Sequence, residues 1–487
     1  MRPFLTLCMI VRDEAQVLGR CLTSVSGLVE EIILVDTGSK DDTRLIARNY
    51  GATVYEYEWR NDFSDARNYA LSKATGHWIL VLDADEYIDS TDLSSLNDFL
   101  HRLDSSKPIG IVLPVYNFVG NERSGKISRS SAIRLFSRHP KLAFVRAIHE
   151  QLRAIDGELI QHEFDLPIYH TGYTSETIDQ KRKSARNEAI FAQIRRNGQW
   201  TCYDAFTLGN EYFAQDRYED AIARYEEADQ PSESDKAWLP LCLGNRISCL
   251  LKLQRYTEAL SLVKRGQSQW PNACDFYWLE GYVLAQLGLD EMALEALKAC
   301  IERSESNDTS QACLISPNYG STLPLQQAAA LYLRRFDISE AVGYLTKLCY
   351  ANPNQQSSLL ELMKLLCASE SEKRLEAFLN SLYPSPQPHQ QVMILEVLLM
   401  LGLRPLAEAR WNAMVQEGIP IPPAVRLQYA LLTDDWAMGS SLLHAPPDNL
   451  DAAAWQISIL RASYQWKDHD FKHSLLLEEL TTETIAA

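Results

Sequence analysis

An α/β domain built on a mainly parallel sheet, followed by an all-α solenoid of helical repeats, is the fold class that three features of the sequence predict. Apolar strand runs and helical runs alternate four times within about the first eighty residues, as crossover-linked parallel strands do. Trp78-Ile79-Leu80-Val81-Leu82 is apolar with no polar alternation, the mark of a central strand buried on both faces, and it stops in Asp83-Ala84-Asp85-Glu86. After Ser175 strand patterns vanish and small residues recur at repeat spacing, 38 residues from Ala221 to Ala259 and 34 from Ala259 to Ala293.

At 487 residues the chain exceeds what one core usually holds, so two or more domains are expected. Hydrophobic residues make up 46% and charged residues 23%, a soluble globular composition. A net charge of −17 excludes a broad grip on nucleic acid or anionic lipid. No stretch reaches the ~18–20 apolar residues of a membrane span. Met1 to Thr6 leads straight into a strand pattern, not a signal peptide, so a cytoplasmic location is expected. The ten cysteines are scattered without a CxxC pair and read as reduced core residues.

The first strand, Leu5 to Val11, opens into Arg12-Asp13-Glu14 before a helical stretch around Val17, Leu18, Cys21 and Leu22. Glu31 to Val35 repeats the arrangement and delivers Asp36-Thr37-Gly38-Ser39, after which Asp42 or Thr43 caps a helix carrying Leu45, Ile46 and Ala47. Thr53 to Tyr57 is a short strand and Phe63 to Ser72 a helix. Ile109 to Tyr116, Ser131 to Phe136 and Leu166 to Tyr173 read as further strand runs. Polar residues thus collect repeatedly at strand carboxyl ends, the edge where open α/β sheets bind ligands. Two acids flanking one small residue, as in Asp83-Ala84-Asp85, can hold a divalent ion or a ribose.

Four ordered motifs, Val11-Arg12-Asp13-Glu14, Val35-Asp36-Thr37-Gly38-Ser39, Ala66-Arg67-Asn68 and Asp83-Ala84-Asp85, resemble the nucleotide-sugar half of family 2 glycosyltransferases with the glycosyltransferase A fold. The resemblance covers the first third of the chain. It implies a nucleotide-sugar donor, uridine-linked, held by Val11, Asp13, Glu14, Asp36, Arg67, Asp83, Ala84 and Arg134. Asp36 would meet the base or ribose, Arg67 would lie along the nucleotide, and Asp83 and Asp85 would reach ribose and metal. Thr37 stands where many members carry a second Asp. In this fold an acid of the acceptor half serves as base and a His about twenty residues later completes the metal shell. Glu150 and His170 match that pattern, with His149 beside the base and Glu86 as the competing base. Asp83, Asp85 and His170 are then the metal ligands, for Mn²⁺ or Mg²⁺, because hard cations suit carboxylate, water and phosphate oxygens. Such an ion offsets the charge on the departing diphosphate, and a single carboxylate base suits displacement with inversion.

From Ile178 to Ile194 the pattern is one basic amphipathic helix. Leu208, Gly209, Tyr212, Ala221, Tyr225 and Ala228 then stand as in a tetratricopeptide repeat, as do Ala259, Val263, Gly266 and Pro271, and Gly281, Leu284, Ala293 and Leu297. A unit with Ala329, Tyr332, Ala341, Leu345 and Pro353 follows an irregular insertion, Ser304 to Leu323, that reads as a loop. The expected organisation is a catalytic domain at 1–175, a connecting helix at 176–199, tetratricopeptide-like repeats at 200–353 and degenerate helical repeats at 354–487. Domain order and motifs resemble the bacterial glycosyltransferases that modify peptides or proteins, the sublancin-type S-glycosyltransferases among them. The resemblance implies hexose transfer to a peptide or protein Ser, Thr or Cys side chain. Transfer to a lipopolysaccharide core or other cell-envelope glycan is an alternative, and a non-catalytic repeat adaptor is an alternative of another class. The repeats are expected to recruit acceptor, to form a homodimer through the helices after 353, where Leu398, Leu399 and Met400 would be free for a partner, or both.

Overall fold

The computed structural model describes residues 3–89, 93–118, 127–171, 177–306, 313–444, 461, 462 and 466. The chain forms two compact units, Met1–Asp235 and Lys236–Ala487. Helix 177–196 and the first repeat pair therefore fold with the sheet. Gly172 and Tyr173, the end of the last expected strand run, lie outside the described residues.

In the first unit, β1 (Leu5–Val11), β2 (Glu31–Asp36), β3 (Thr53–Glu56) and β4 (Trp78–Val81) lie parallel in the order β3-β2-β1-β4. The sheet continues through β5 (Glu86–Ile88), β6 (Ile109–Phe118), β7 (Ile127–Ser137) and β11 (Ile168–His170) in the order β7-β6-β11-β5. β8 (Leu142–Val145) and β9 (Gln151–Ala154) form a separate antiparallel pair, and β10 (Ile160–Glu163) adds to β6. β4 is parallel to β1 and antiparallel to β7, so the switch in strand direction falls at the strand that ends in the acids.

Strand alternation divides the core into two faces. Leu5, Leu7, Met9 and Leu80 pack with Leu18 and Leu22 of α1 (Leu18–Ser24) on one face. Cys8, Ile33, Val35, Ile79 and Val81 pack with Ala70 and Ala74 on the other. Each face is covered, which is why these strands read as continuous apolar runs.

The start of α2 (Thr43–Asn49) differs from the expected cap. Asp42 occupies the cap position without a side-chain cap bond. Asp41 accepts instead from the Thr43 N–H at 3.0 Å, and also holds Ala15 N–H at 3.0 Å, so it ties the helix to the loop after β1. α3 (Phe63–Lys73) is capped by Asp62, which accepts from Asp65 N–H at 2.9 Å.

α4 (Leu93–His101) and α5 (Thr177–Arg196) precede the first repeat pair, α6 (Cys202–Ala214) and α7 (Tyr218–Ala228). A Cβ at Gly209 would sit 2.6 Å from the Tyr225 ring, so only glycine lets α6 and α7 approach this closely. In the second unit the pair Cys274–Gln286 and Asp290–Ser306 uses the same device, with a Gly281 Cβ falling 2.7 Å from Leu297 Cγ. Helix pairs continue to Trp436–His444, and one core runs through them from Leu284 to Val425. This continuous core along stacked pairs is solenoid construction.

Two expectations about the second unit change. The insertion is not all loop: helix Asp290–Ser306 runs into it, Pro317–Gly320 forms a 3₁₀ turn, and Thr322 starts the next helix. Asp275 anchors it by accepting from the N–H groups of Leu314, Ile315 and Ser316 at 2.7, 2.9 and 3.1 Å. Leu398 and Leu399 are not free for a partner. They are 1% and 8% exposed in the unit's own core, and Met400 alone of the three is outside, at 54%. The cysteines of the described structure are all free thiols.

Candidate active site at the carboxyl edge of the sheet

Because β1, β2 and β4 are parallel, Asp13, Asp36 and Asp83 arrive at one sheet edge, with Val11 paired to Asp36 in register. Arg67, on the buried side of α3, meets the acids there. Its Nη2 lies 2.7 Å from Asp83 Oδ1 and its Nε 2.6 Å from Glu150 Oε1. Arg134, on β7, places Nη2 3.3 Å from Asp83 Oδ2 and 2.5 Å from Glu86 Oε1. The result is an alternating chain, Glu150–Arg67–Asp83–Arg134–Glu86.

Arg67 is only 7% exposed, so removing one of its acids would strand a buried charge. Desolvation works to raise the Asp83 carboxyl, but the Arg67 and Arg134 guanidiniums outweigh it and hold Asp83 well below the usual range. Burial, reinforced by Asp83, pushes Glu86 up to about 7, with Arg134 pulling the other way. Glu86 is 1% exposed and turned inward, accepting from Asp83 N–H at 2.9 Å. Its carboxylate braces the Asp83 turn, and Glu150, at 16% exposure, is the more exposed of the two acids. Two buried donors, Arg67 Nη1 and Arg134 Nε, have no acceptor among the described residues.

Asp85 belongs to a second cluster. β11 runs parallel to β6 and antiparallel to β5, which registers His170 with Asn117 on one side and with Glu86 on the other. Asn117 Nδ2 donates to Ser130 Oγ at 3.2 Å, so its Oδ1 faces His170 Nδ1 at 2.9 Å and accepts the Nδ1 proton. His170 Nε2 then points at Asp85 Oδ2, 3.2 Å away. The Asp85 hydrogen bond, against the effect of burial, raises the His170 pKa.

A lone-pair nitrogen facing a carboxylate oxygen needs a proton or a cation between them. Two cis ligands about 2.1 Å from an octahedral ion lie roughly 3.0 Å apart, so Asp85 and His170 fit a hard divalent cation. Asn117 supplies the outer hydrogen bond that metal-binding imidazoles usually have. Asp83, the third expected ligand, pairs with Arg67 and Arg134. Among the described residues, the group of three ligand-type side chains within reach of one ion is Cys274, Asp275 and Cys313 in the second unit. There the Asp275 oxygens are already taken by three amides.

The loops after β1 and β2 interlock. Asp13, at φ +56°, donates its N–H to Ser39 Oγ at 2.9 Å and accepts from Lys40 N–H at 2.7 Å. Glu14 N–H donates to Thr43 Oγ1 at 2.8 Å. Asp36 is buried and accepts from Ser39 N–H at 3.1 Å and Gly38 N–H at 3.3 Å, so its carboxylate shapes its own loop. Ala84 is buried between the two acids, and Val11 closes the end of β1. His149 lies beside Glu150 with its Nε2 3.7 Å from Glu211 Oε1 on α6.

Sequence reasoning missed Asn117, the bracing role of Glu86, and Arg20, which hydrogen-bonds Thr171 and stacks on Tyr87 at 4.6 Å. Asn117 had a usable signal, since it is the polar end of an apolar strand.

A parallel sheet carrying Asp-x-Asp at the switch strand, with arginines holding the first acid and a His beside the second, defines a glycosyltransferase domain of the glycosyltransferase A type. Residues 6–160 match the model for Glycosyl transferase family 2. A TPR repeat-containing protein of Synechococcus elongatus is 36% identical over 192 residues, which are 37% of this chain and 45% of that protein. The chain thus spans under half of that relative's length. The SPbeta prophage-derived glycosyltransferase SunS of Bacillus subtilis is 26% identical over 296 residues, 58% of this chain and 67% of SunS. Among solved structures, S. aureus TarS 1-349 matches at TM-score 0.28 and 13% identity, over 63% of this chain and 92% of that one. The helices of the C-terminal region fit tetratricopeptide repeats.

Proposed function

We propose that this protein transfers a hexose from a uridine-linked nucleotide sugar, with inversion, to a peptide or protein side chain, with Glu150 as the base. The observation that carries this reading is the single chain from Glu150 through Arg67 to Asp83, beside the Asp85–His170 pair. Asp85 and His170 would hold Mn²⁺ or Mg²⁺, which supplies positive charge to the departing diphosphate. The unsatisfied Arg67 Nη1 and Arg134 Nε offer donors that an anionic donor substrate would fill. Val11, Asp13, Glu14, Asp36, Asp83 and Ala84 would line the nucleotide, the loop amides holding Asp36 in place.

Glu150 takes the proton from the attacking hydroxyl or thiol as the new glycosidic bond forms and the bond to the diphosphate breaks. Arg67 orients that carboxylate, and the same guanidinium fixes Asp83. An acceptor of peptide type is favoured because stacked helix pairs present an extended concave surface. No helix among the described residues is long and apolar enough to cross a membrane, and action in the cytoplasm is part of this proposal.

The test is release of UDP across a panel of UDP-sugars, with Mn²⁺ and with excess chelator. Turnover of one donor that stops on chelation is the expected result. Full turnover in chelator would remove the metal from the reading, and no turnover or binding of any donor would favour a repeat adaptor.

A further inference from the structure

The segment Arg146 to Glu150 is held in an unusual backbone path. Arg146 has φ +80° and His149 φ +52°, both in the left-handed region that non-glycine residues avoid. Such conformations persist where surrounding structure over-determines them, and they gather at functional sites. Part of the restraint comes from α3, whose first residue Phe63 donates its N–H to Ala147 O at 2.8 Å. The rest comes from the helices that follow the sheet domain.

Arg146 Nη2 lies 2.5 Å from Asp204 Oδ1 on α6, and its guanidinium sits over the Tyr203 ring at 4.5 Å. Tyr203 also accepts from Gln151 Nε2 at 3.4 Å, and His149 faces Glu211 about two turns further along α6. Between these polar ties, Ile148 packs with Ile190, Phe191 and Ile194 of α5 and Leu208 of α6. Asp204 is itself rigid, because its other oxygen accepts from Thr201 N–H at 2.9 Å in a capping box. A fixed carboxylate on a capped helix therefore clamps the first residue of the segment, and Glu150 is the last.

We propose that Asp204 is a positioning residue for Glu150, acting through Arg146, so that the first helical repeat is part of the catalytic unit. The inference rests on the reading of Glu150 as base. The ion pair is nearly buried, with the Asp204 side chain 5% exposed, so its geometry is not averaged by solvent. A displacement of about 1 Å at a catalytic group can cost ~10²-fold in rate.

The experiment uses the full-length protein and UDP release from the UDP-sugar turned over fastest, with water as acceptor. Asp204→Asn keeps the cap acceptor and loses the charge. It should lower kcat ten- to a hundredfold while KM for donor and the Kd for UDP stay within twofold. The double replacement Arg146→Met with Asp204→Asn removes the buried pair without stranding a charge and keeps the acceptor of the capping box. It should return the unfolding midpoint close to that of the parent and leave kcat low, because packing recovers and the clamp does not.

If kcat of Asp204→Asn stays within twofold while Glu150→Gln loses a hundredfold, the positioning role is wrong and the base assignment stands. If kcat and UDP affinity fall together, or kcat returns with stability in the double replacement, Asp204 is only structural and the proposal fails. If Glu150→Gln retains full kcat, the base reading falls and this inference falls with it.

Discussion

His170 Nε2 faces Asp85 Oδ2 at 3.2 Å while its other ring nitrogen is committed to Asn117. A strand pairing produces this arrangement, since β11 lies between β6, which carries Asn117, and β5, which follows Asp85.

Asp85→Asn and His170→Ala should each weaken Mn²⁺ binding at least tenfold and abolish UDP release. Asn117→Ala, which removes the partner of the ring nitrogen facing away from Asp85, should weaken it by roughly 10–100-fold, the usual effect of losing an outer partner. Calorimetric Mn²⁺ titration in the presence of UDP measures all three. Unchanged affinity in Asp85→Asn would place the ion elsewhere.

Glu150→Gln keeps size and hydrogen bonding to Arg67 but removes basicity, so kcat should fall by ~10² or more with donor KM nearly unchanged. Glu86→Gln should affect kcat less, because Glu86 is buried against Asp83 N–H and Arg134. The opposite order in steady-state kinetics would make Glu86 the base. A thiol acceptor would shrink the Glu150 effect, since a cysteine is already partly ionised near neutral pH.

Glu86 also makes a pH prediction. Its folded pKa is pushed up to about 7 by burial and by Asp83, whereas an unfolded glutamate titrates near ~4.3. Between those values the folded state binds more protons, so the contribution to stability is full below the window and is lost as pH rises through it. In chelator-treated protein, Glu86→Gln should gain on the parent by on the order of 1–3 kcal/mol between pH 5 and pH 8. Denaturant midpoints at both pH values test this. A constant gap between variant and parent would mean that Glu86 is ionised throughout.

A chain ending at residue 175 would lose Phe191, Leu208 and Asp204, and so would expose Ile148 and strand Arg146. Ending at 235 follows the compact unit and keeps those contacts. The longer piece should remain soluble and release UDP from donor, and the shorter should aggregate or lose activity. Equal solubility and equal turnover would show that the helices are dispensable for the sheet domain.

Gly281→Leu should destabilise the second unit by about 1–3 kcal/mol, the usual cost of overpacking, because the new side chain begins 2.7 Å from Leu297 Cγ. Gly343→Leu, where no atom lies within 4 Å of a Cβ, is the control. Similar midpoints in thermal unfolding would argue against the close helix approach.

Much of the fold was legible because its signals are local. β1, β2 and β4 are buried on both faces, so their burial is written as uninterrupted apolar runs, and their parallel direction alone sends Asp13, Asp36 and Asp83 to one edge. Gly209 and Gly281 mark repeat contacts for the same reason, since a missing side chain is visible in sequence. Tertiary structure decided the rest, because it depends on partners far apart in the chain. Arg67 reaches an acid 83 residues away, His170 an amide 53 residues away, and Arg146 a carboxylate 58 residues away. The apolar run at Leu398 and Leu399 looked like a surface for a partner, yet neighbouring helices of the same unit bury it. A side chain's type and period set which element it builds, but charge pairing and burial are decided by what the folded chain brings within a few ångströms of it.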